Sequence, residues 1–545
     1  MHAEPGSAKP FSRFRGALAG ATLCSLLFLA LGAAFVNRTG IEEDEAMFAS
    51  PLYREWCFFA IHIRHFRIPI MHMSYVGALK TWIYAPIALF WQPSAAMLRV
   101  PALVIGAVTV ALFWNLLGTV HSRRAAWAGC LLLITDAVFL LTNVFDWGPV
   151  AIQHLLLVVM LLATVQWART GRDNRLFAAA VACGLAFWDK AVFIWMFSGL
   201  VAGSVLFWRL IRDRFTWKRA ATVVAGVALG GAPLIGYNLW TTPKFLTFRS
   251  NTHFTPGRFA QRFPLLRSTW NGSALFGYMV YEEAERPNEP RTLLERATFA
   301  AHKITGDRHK DAFEGALIAA VLLIPLLWKT RARTALLFAL IASAVAWCTM
   351  VSLDGGGGAH HMVLLWPLPQ MLVAVAFAEA SMRWRFGGWA LCAAVAFLAI
   401  ANLMVINQYL YQFVRNGSAG SWTDAIFPLA EALRKTPASR TALVDWGYQD
   451  PLSYLNKAAP PERVIVNPFM PADEPPEQRE EDRELLLDPS VIWVEHVAGR
   501  EILAGVNARL ASVARGAGLD AVVAGTFCDR NGRPIFQILR LGPRR

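Results

Sequence analysis

Four consecutive acids, Glu42-Glu43-Asp44-Glu45, stand just after the first long apolar stretch of the chain. Adjacent carboxylates repel one another, which raises some of their pKa values. A carboxylate poised near neutrality can take a proton from an attacking hydroxyl. The same run would serve equally as a solvated acidic turn capping the next helix, because acids suit a helix N-terminus. Successive helical residues point in different directions, so one or two of the four at most can share a site. A fifth acid, Asp146, lies in the short link NVFDWGPVA between two long apolar stretches. It can cap the helix that follows Pro149, take part in chemistry, or do both.

The cations complement these acids. Arg99 opens an apolar stretch, Lys190 follows Asp189 between two others, and His360-His361 follow a glycine run, Gly355 to Gly358. Each has a plainer reading: Arg99 snorkels, Lys190 neutralises Asp189, and the histidines are wet loop residues. The DGGGG run is too generic to read as a phosphate loop, since no strand precedes it and no GK[ST] follows. A base beside a cluster of cations suits transfer of a group away from an anionic leaving group. Five of the seven cysteines lie in apolar runs, with no disulfide or metal spacing. Asp44, Asp146 and the histidines could bind a divalent cation, but nothing requires a metal or other cofactor.

These residues must be positioned by membrane helices. Of the 545 residues, 55% are hydrophobic and 17% charged, against about 25% charged in soluble domains. A soluble enzyme, a nucleic-acid module and a disordered protein are excluded. Apolar stretches predict eleven spans, at 16–36, 98–119, 125–142, 151–168, 176–188, 191–208, 220–239, 313–328, 334–352, 362–380 and 389–407. The first is too long for a signal peptide's apolar region and reads as an uncleaved anchor. Segments 1–15, 120–124, 169–175, 209–219, 329–333 and 381–388 hold 18 Lys and Arg but only three acids, whereas links 143–150 and 353–361 hold no Lys or Arg. The basic set is therefore cytoplasmic, and much of the net charge of +14 is a topology signal rather than a nucleic-acid signal. This parity makes 77–92 an interfacial segment, not a span, and makes 176–208 a tight hairpin with Asp189-Lys190 at its outer tip.

The expected fold is an α-helical polytopic membrane protein with a C-terminal α/β extracytoplasmic domain. The expected division is a cytoplasmic N-terminus, 1–15, a membrane domain, 16–407, with outer loops 37–97 and 241–312, and the α/β domain, 408–545. Strands are expected in ASRTALVDWGYQD and SVIWVEHV, a helix over 499–516, and a hairpin turning at Asn531-Gly532. The Pro-rich acidic stretch 471–482 reads as a solvated loop. A transporter or flippase would also carry intramembrane charges. The charges here lie at span ends on one face, and no pair of broken helices is visible.

In this arrangement the chain resembles the GT-C superfamily of integral-membrane glycosyltransferases, in particular the protein O-mannosyltransferase and lipid A aminoarabinose transferase group (glycosyltransferase family 39-like). The resemblance covers about residues 16–407. It rests on DEAMFAS (44–50), LRVPALVIGAVTVALFW (98–114), the second-loop acid Asp146, GLAFWDKAV (184–192) and HHMVLLWPLPQMLVA (360–374), in that order. It implies Asp44 as catalytic acid with Glu45 beside it, Asp146 as the second-loop acid, and Lys190, His360, His361 and Arg99 around a donor phosphate. The four-acid run and the DWGP sequence depart from the group's pattern. The implied activity moves one sugar from a polyprenyl-phosphate donor to a hydroxyl of a glycan, lipid or protein, with inversion, on the periplasmic face of a bacterial inner membrane. An oligosaccharyltransferase using a polyprenyl diphosphate is the nearest alternative. Reporter fusions after residues 122, 172, 213 and 331 are expected to report cytoplasm, and one at 440 the outside; a cytoplasmic signal at 440 would break the topology.

Overall fold

The computed structural model describes all residues except 1–9, 55–56, 252–257, 354–355, 460–461, 465–475 and 545. Asp354 and Gly355 of the glycine run therefore lie outside the described residues. Helices cover all eleven apolar stretches. By length and composition, six of the described helices can cross a membrane: Ala95–Val120, Val150–Thr170, Ala191–Arg214, Trp217–Trp240, Arg333–Ser352 and Gly387–Arg415. Two bent pairs, Arg123–Ile134 with Ala137–Val144 (63°) and Ala359–Leu365 with Leu368–Ser381 (41°), raise that number to eight. Leu18–Ala33 and Phe313–Leu323 are apolar but shorter. The chain is thus a multi-pass helical membrane protein, with six to eight such spans among the described residues by length and composition; eleven stays an expectation.

The bent pairs correct the expectation of unbroken helices. The first breaks at Thr135-Asp136, where Asp136 accepts from Phe139 N (2.8 Å) to cap the second half. The second breaks at Trp366-Pro367, because proline has no N–H to continue the ladder. The breaks face each other: Trp366 Nε1 and Gln370 Nε2 donate to Asp136 Oδ2 at 2.7 and 3.2 Å. Asp136 thus ties the two breaks together.

The predicted tight hairpin at 176–208 is also corrected. The turn is at Lys190, but its arms part. Helix Asp173–Asp189 packs on Val150–Thr170 and Trp217–Trp240, while Ile194–Ser204 packs on Arg333–Ser352. The first outer loop holds the turn. It forms an antiparallel pair, β1 (Phe59–Ile63) and β2 (Phe66–Met71), then runs past the Lys190 turn. There Gly77 N donates to Asp189 O (3.0 Å), Ala191 N donates to Tyr75 O (2.8 Å), and Val76 bridges Lys190. A Cβ on Gly77 would lie 1.9 Å from the Trp188 carbonyl oxygen, so only glycine allows this approach. The helix that follows, Leu79–Ala88, has 10 residues, about half of what a crossing needs.

Beyond Arg415 a five-stranded sheet has the order β4 (Glu462–Val464), β3 (Thr441–Leu443), β5 (Ile492–His496), β7 (Pro534–Pro543), β6 (Leu519–Cys528). The β4-β3-β5 pairs are parallel and the β5-β7-β6 pairs antiparallel. Strand alternation sends Leu443, Ile492 and Val494 towards helix Ile426–Lys435, and Ala442 and Trp493 towards Val506–Gly516. The expected loop at 471–482 is helical from Pro476 to Leu487. Proline suits a helix start, Glu and Arg are good helix formers, and Leu485 and Leu486 are buried against Trp493.

Candidate functional site

The four acids have separate fates, set by a single turn of helix, Glu43–Ala46. Glu42 is its N-cap; the carboxylate accepts from Asp44 N (2.8 Å) and Glu45 N (3.2 Å). Glu45 points to Arg99, which approaches it with Nε (2.6 Å) and Nη2 (2.8 Å). Arg99 is fully buried. Its remaining donors go to the carbonyls of Val36, Thr39 and Gly40. Glu43 accepts from Asp450 N (3.1 Å), a residue of the C-terminal region. Asp44 is left: among the described residues its carboxylate has no hydrogen-bond or salt-bridge partner, and it alone of the four is not classed as buried. Burial raises its pKa to about 6; the charge of Lys190 pulls it down, and Asp450 pushes it up.

Lys190 lies between two helices, at the turn held by the first outer loop. Burial lowers its pKa to about 8, opposed by Asp44, Asp189 and Asp146. Its ammonium does not pair with Asp189, whose Oδ2 accepts from Gln153 Nε2 (2.7 Å). It approaches His361 Nε2 at 3.4 Å instead. The two histidine rings lie at a tilt of 45°, their centroids 4.0 Å apart. Trp147 Nε1 donates to His360 Nδ1 (3.0 Å). An indole N–H only donates, so in the neutral ring Nδ1 is the bare nitrogen and Nε2 carries the proton. The histidines are therefore packed site residues rather than wet loop residues. A Cβ on Gly148 would meet His360 Cδ2 at 2.9 Å and Lys190 Nζ at 3.5 Å, which shows how closely the Asp146 link, the lysine and the histidines converge.

Asp146 caps its helix, as one sequence reading held, by accepting from Ala151 N (3.1 Å). Lys80, from the interfacial helix, stands 2.9 Å from Asp146 Oδ2 and donates to its backbone carbonyl. The structure thus brings Asp44, Lys190, His360 and His361 to one end of the bundle. It gives Arg99, Glu45 and Asp146 to buried ion pairs beside them. Sequence reasoning missed Lys80, Trp147 and Asp450. A lone lysine in the apolar stretch 77–92 was the available signal for Lys80; no local signal ties Asp450 to Glu43. Among the described residues, no group of three or more His, Cys, Asp or Glu is arranged to hold a metal ion.

The C-terminal region also holds the acid turn. Asp450 opens towards Ser50 Oγ (2.5 Å) and Arg54 Nη1 (2.8 Å), both just beyond the acids. Burial raises Glu43 and Asp450, and Asp450 raises Glu43 further. Glu43 is lifted well above the usual carboxylate range.

No protein-family model matches the sequence, and no curated protein sequence matches it. Solved structures do. The structure of ArnT from Cupriavidus metallidurans bound to undecaprenyl phosphate superposes with a TM-score of 0.57 at 13% identity, over 95% of this chain and 97% of that one. The apo state of ArnT gives 0.55 at 12%, over 97% and 98%. The oligosaccharyltransferase AglB from Archaeoglobus fulgidus, with an inhibitory peptide and a dolichol-phosphate, gives 0.49 at 14%, over 96% and 75%. The chain has the ArnT fold over nearly its whole length.

Asp450→Ala removes the carboxylate that pairs with Arg54 and accepts from Ser50, and breaking a buried pair costs about 3–5 kcal/mol. The thermal midpoint of purified protein is expected to fall by several degrees. Glu43→Gln keeps an oxygen that accepts from Asp450 N and removes the repulsion between the two carboxyl groups, so it is expected to leave the midpoint nearly unchanged; equal losses from both would contradict this division of roles.

Proposed function

We propose that the chain is a membrane glycosyltransferase that moves a single sugar from a polyprenyl phosphate to an acceptor hydroxyl on the extracytoplasmic face of a bacterial inner membrane. One observation carries the reading. The one acid of the 42–45 run without a partner stands next to a lysine and two packed histidines, at one end of a membrane bundle with the ArnT fold. The ArnT structure binds undecaprenyl phosphate, and a polyprenyl phosphate keeps its tail in lipid while its phosphate reaches such a site.

In the proposed step Asp44 takes the proton of the acceptor hydroxyl. The acceptor oxygen bonds to the anomeric carbon as the bond from that carbon to the phosphate oxygen breaks, and the phosphate leaves with the electron pair. One such displacement inverts the centre. Lys190 and the Nε2–H of His360 stabilise the charge that grows on the leaving phosphate. Glu45 with Arg99, and Asp146 with Lys80, act as positioning pairs: the first sets the acid turn, the second sets the link that carries Trp147 and Gly148 against the histidines. This reading replaces the sequence-derived placement of Arg99 on the phosphate, because its guanidinium is wholly engaged. No step calls on a metal, and the acceptor class is a glycan, lipid or protein hydroxyl.

The pKa directions give the pH dependence. A base must be unprotonated, so activity is lost as pH falls through about 6, the value for Asp44. A phosphate-binding cation must be protonated, so activity is lost as pH rises through about 8, the value for Lys190. The expected kcat/KM profile, measured as polyprenyl phosphate release from lipid-linked sugars extracted from the source strain, is a bell between these limits. Asp44→Asn is expected to lower turnover by ~10²-fold or more in folded protein. Lys190→Arg is expected to retain part of the activity and to move the alkaline limb upward, since a guanidinium keeps its charge. An unchanged profile in both variants would overturn the assignment.

A further inference from the structure

The other end of the bundle carries a second polar feature, independent of the transfer reading. Helix Ala95–Val120 runs from the Arg99–Glu45 pair to His121. From Arg99 to Val120 it spans roughly 30 Å at 1.5 Å per residue, about the thickness of a hydrocarbon core. At its far end the links around Ser122 and Arg383 meet, and Arg124 donates to Ser381 Oγ (3.3 Å). A cleft of about 450 Å³ opens there, lined by Arg123, Arg124, Ser381 and Arg385 among others. It shares Arg124, Arg385 and Gly388 with a groove of about 660 Å³ between helices Arg123–Ile134 and Gly387–Arg415. The groove floor is apolar, with Leu131, Val395 and Ala399.

The charges at the mouth are unbalanced. Arg124 and Arg385 have no carboxylate partner among the described residues; Arg385 instead stacks over the Phe386 ring at 4.3 Å. The nearby acid, Glu379, is taken by His121 (2.8 Å). Trp127, Trp384 and Trp389 are exposed around the opening, as aromatic side chains are at a membrane interface. Two guanidinium forks at the head of an apolar groove match a phosphate with an attached hydrocarbon chain, and basic pockets between spans on the cytoplasmic side hold anionic head groups.

We propose that this cleft and groove bind an anionic phospholipid, with its phosphate on Arg124 and Arg385 and one acyl chain along the Leu131–Val395 groove. The occupant is a phospholipid rather than a polyprenyl phosphate, because the site lies a membrane thickness away from Asp44. A zwitterionic head group would bring its own cation towards the two arginines and bind less well.

The test is lipid retention by the full-length purified protein in native mass spectrometry, with phosphatidylglycerol, phosphatidylcholine, undecaprenyl phosphate and inorganic phosphate as separate probes. Phosphatidylglycerol is expected to be retained and to raise the thermal midpoint. The double variant Arg124→Ala with Arg385→Ala is expected to lose at least about tenfold in retention, as befits charged hydrogen bonds. Ala399→Trp, which blocks the groove and keeps both arginines, is expected to lose it too. Arg383→Ala serves as the control and is expected to retain the lipid. Equal retention of phosphatidylcholine, stronger retention of undecaprenyl phosphate, full competition by inorganic phosphate, or unchanged retention in the double variant and in Ala399→Trp would each overturn the proposal.

Discussion

A fully buried guanidinium must have every donor met, and Arg99 meets that demand with one carboxylate and three backbone carbonyls. Taking such a pair out of water costs several kcal/mol per ion, repaid only when geometry and extra hydrogen bonds are complete. The partners come from the link after the first apolar helix, through Val36, Thr39 and Gly40, and from the acid turn, through Glu45, and they meet the start of helix Ala95–Val120 at Arg99. The pair therefore fixes where the chain leaves the membrane and how the acid turn is rotated. With Glu45 turned inward to Arg99, the four-residue helix fixes where its other two acids, Glu43 and Asp44, point and where Glu42 caps it.

That rotation sorts like charges that could not otherwise coexist. Glu42 is spent on the backbone and Glu45 on Arg99, while Glu43 accepts from the backbone of Asp450. One ionisable group, Asp44, is left towards Lys190. The second buried pair, Lys80 with Asp146, does comparable work for the link that presents Trp147 to His360. Both pairs lie beside the proposed reacting groups, so burial supplies both the perturbed pKa values and the rigidity of the site.

Much of this was legible in the residues. Long apolar stretches marked the helices, and the hairpin at Asn531-Gly532 followed from turn chemistry. Lys190 and His360-His361, singled out as cations on one face, come together in space, with Lys190 3.4 Å from His361 and the two rings 4.0 Å apart. What stayed hidden has physical reasons. The choice among four acids depends on Arg99 and Asp450, which are 54 and 407 positions away from Glu45 and Glu43. The breaks at Asp136 and Trp366-Pro367 sit inside stretches that are apolar throughout, and a hydropathy window does not register one acid or one proline. The helix Pro476–Leu487 was masked by proline-rich neighbours, although its own Glu, Arg and Leu residues favour helix.

The central claim is that Asp44 and the Lys190–histidine group cleave the bond between a sugar and a single phosphate. Identifying the lipid product tests it most directly. Purified protein, incubated with lipid-linked sugars extracted from the source strain, is expected to release polyprenyl monophosphate in step with glycosylated acceptor, as seen by mass spectrometry. Release of polyprenyl diphosphate, or acceptor glycosylation with no polyprenyl product, would contradict it.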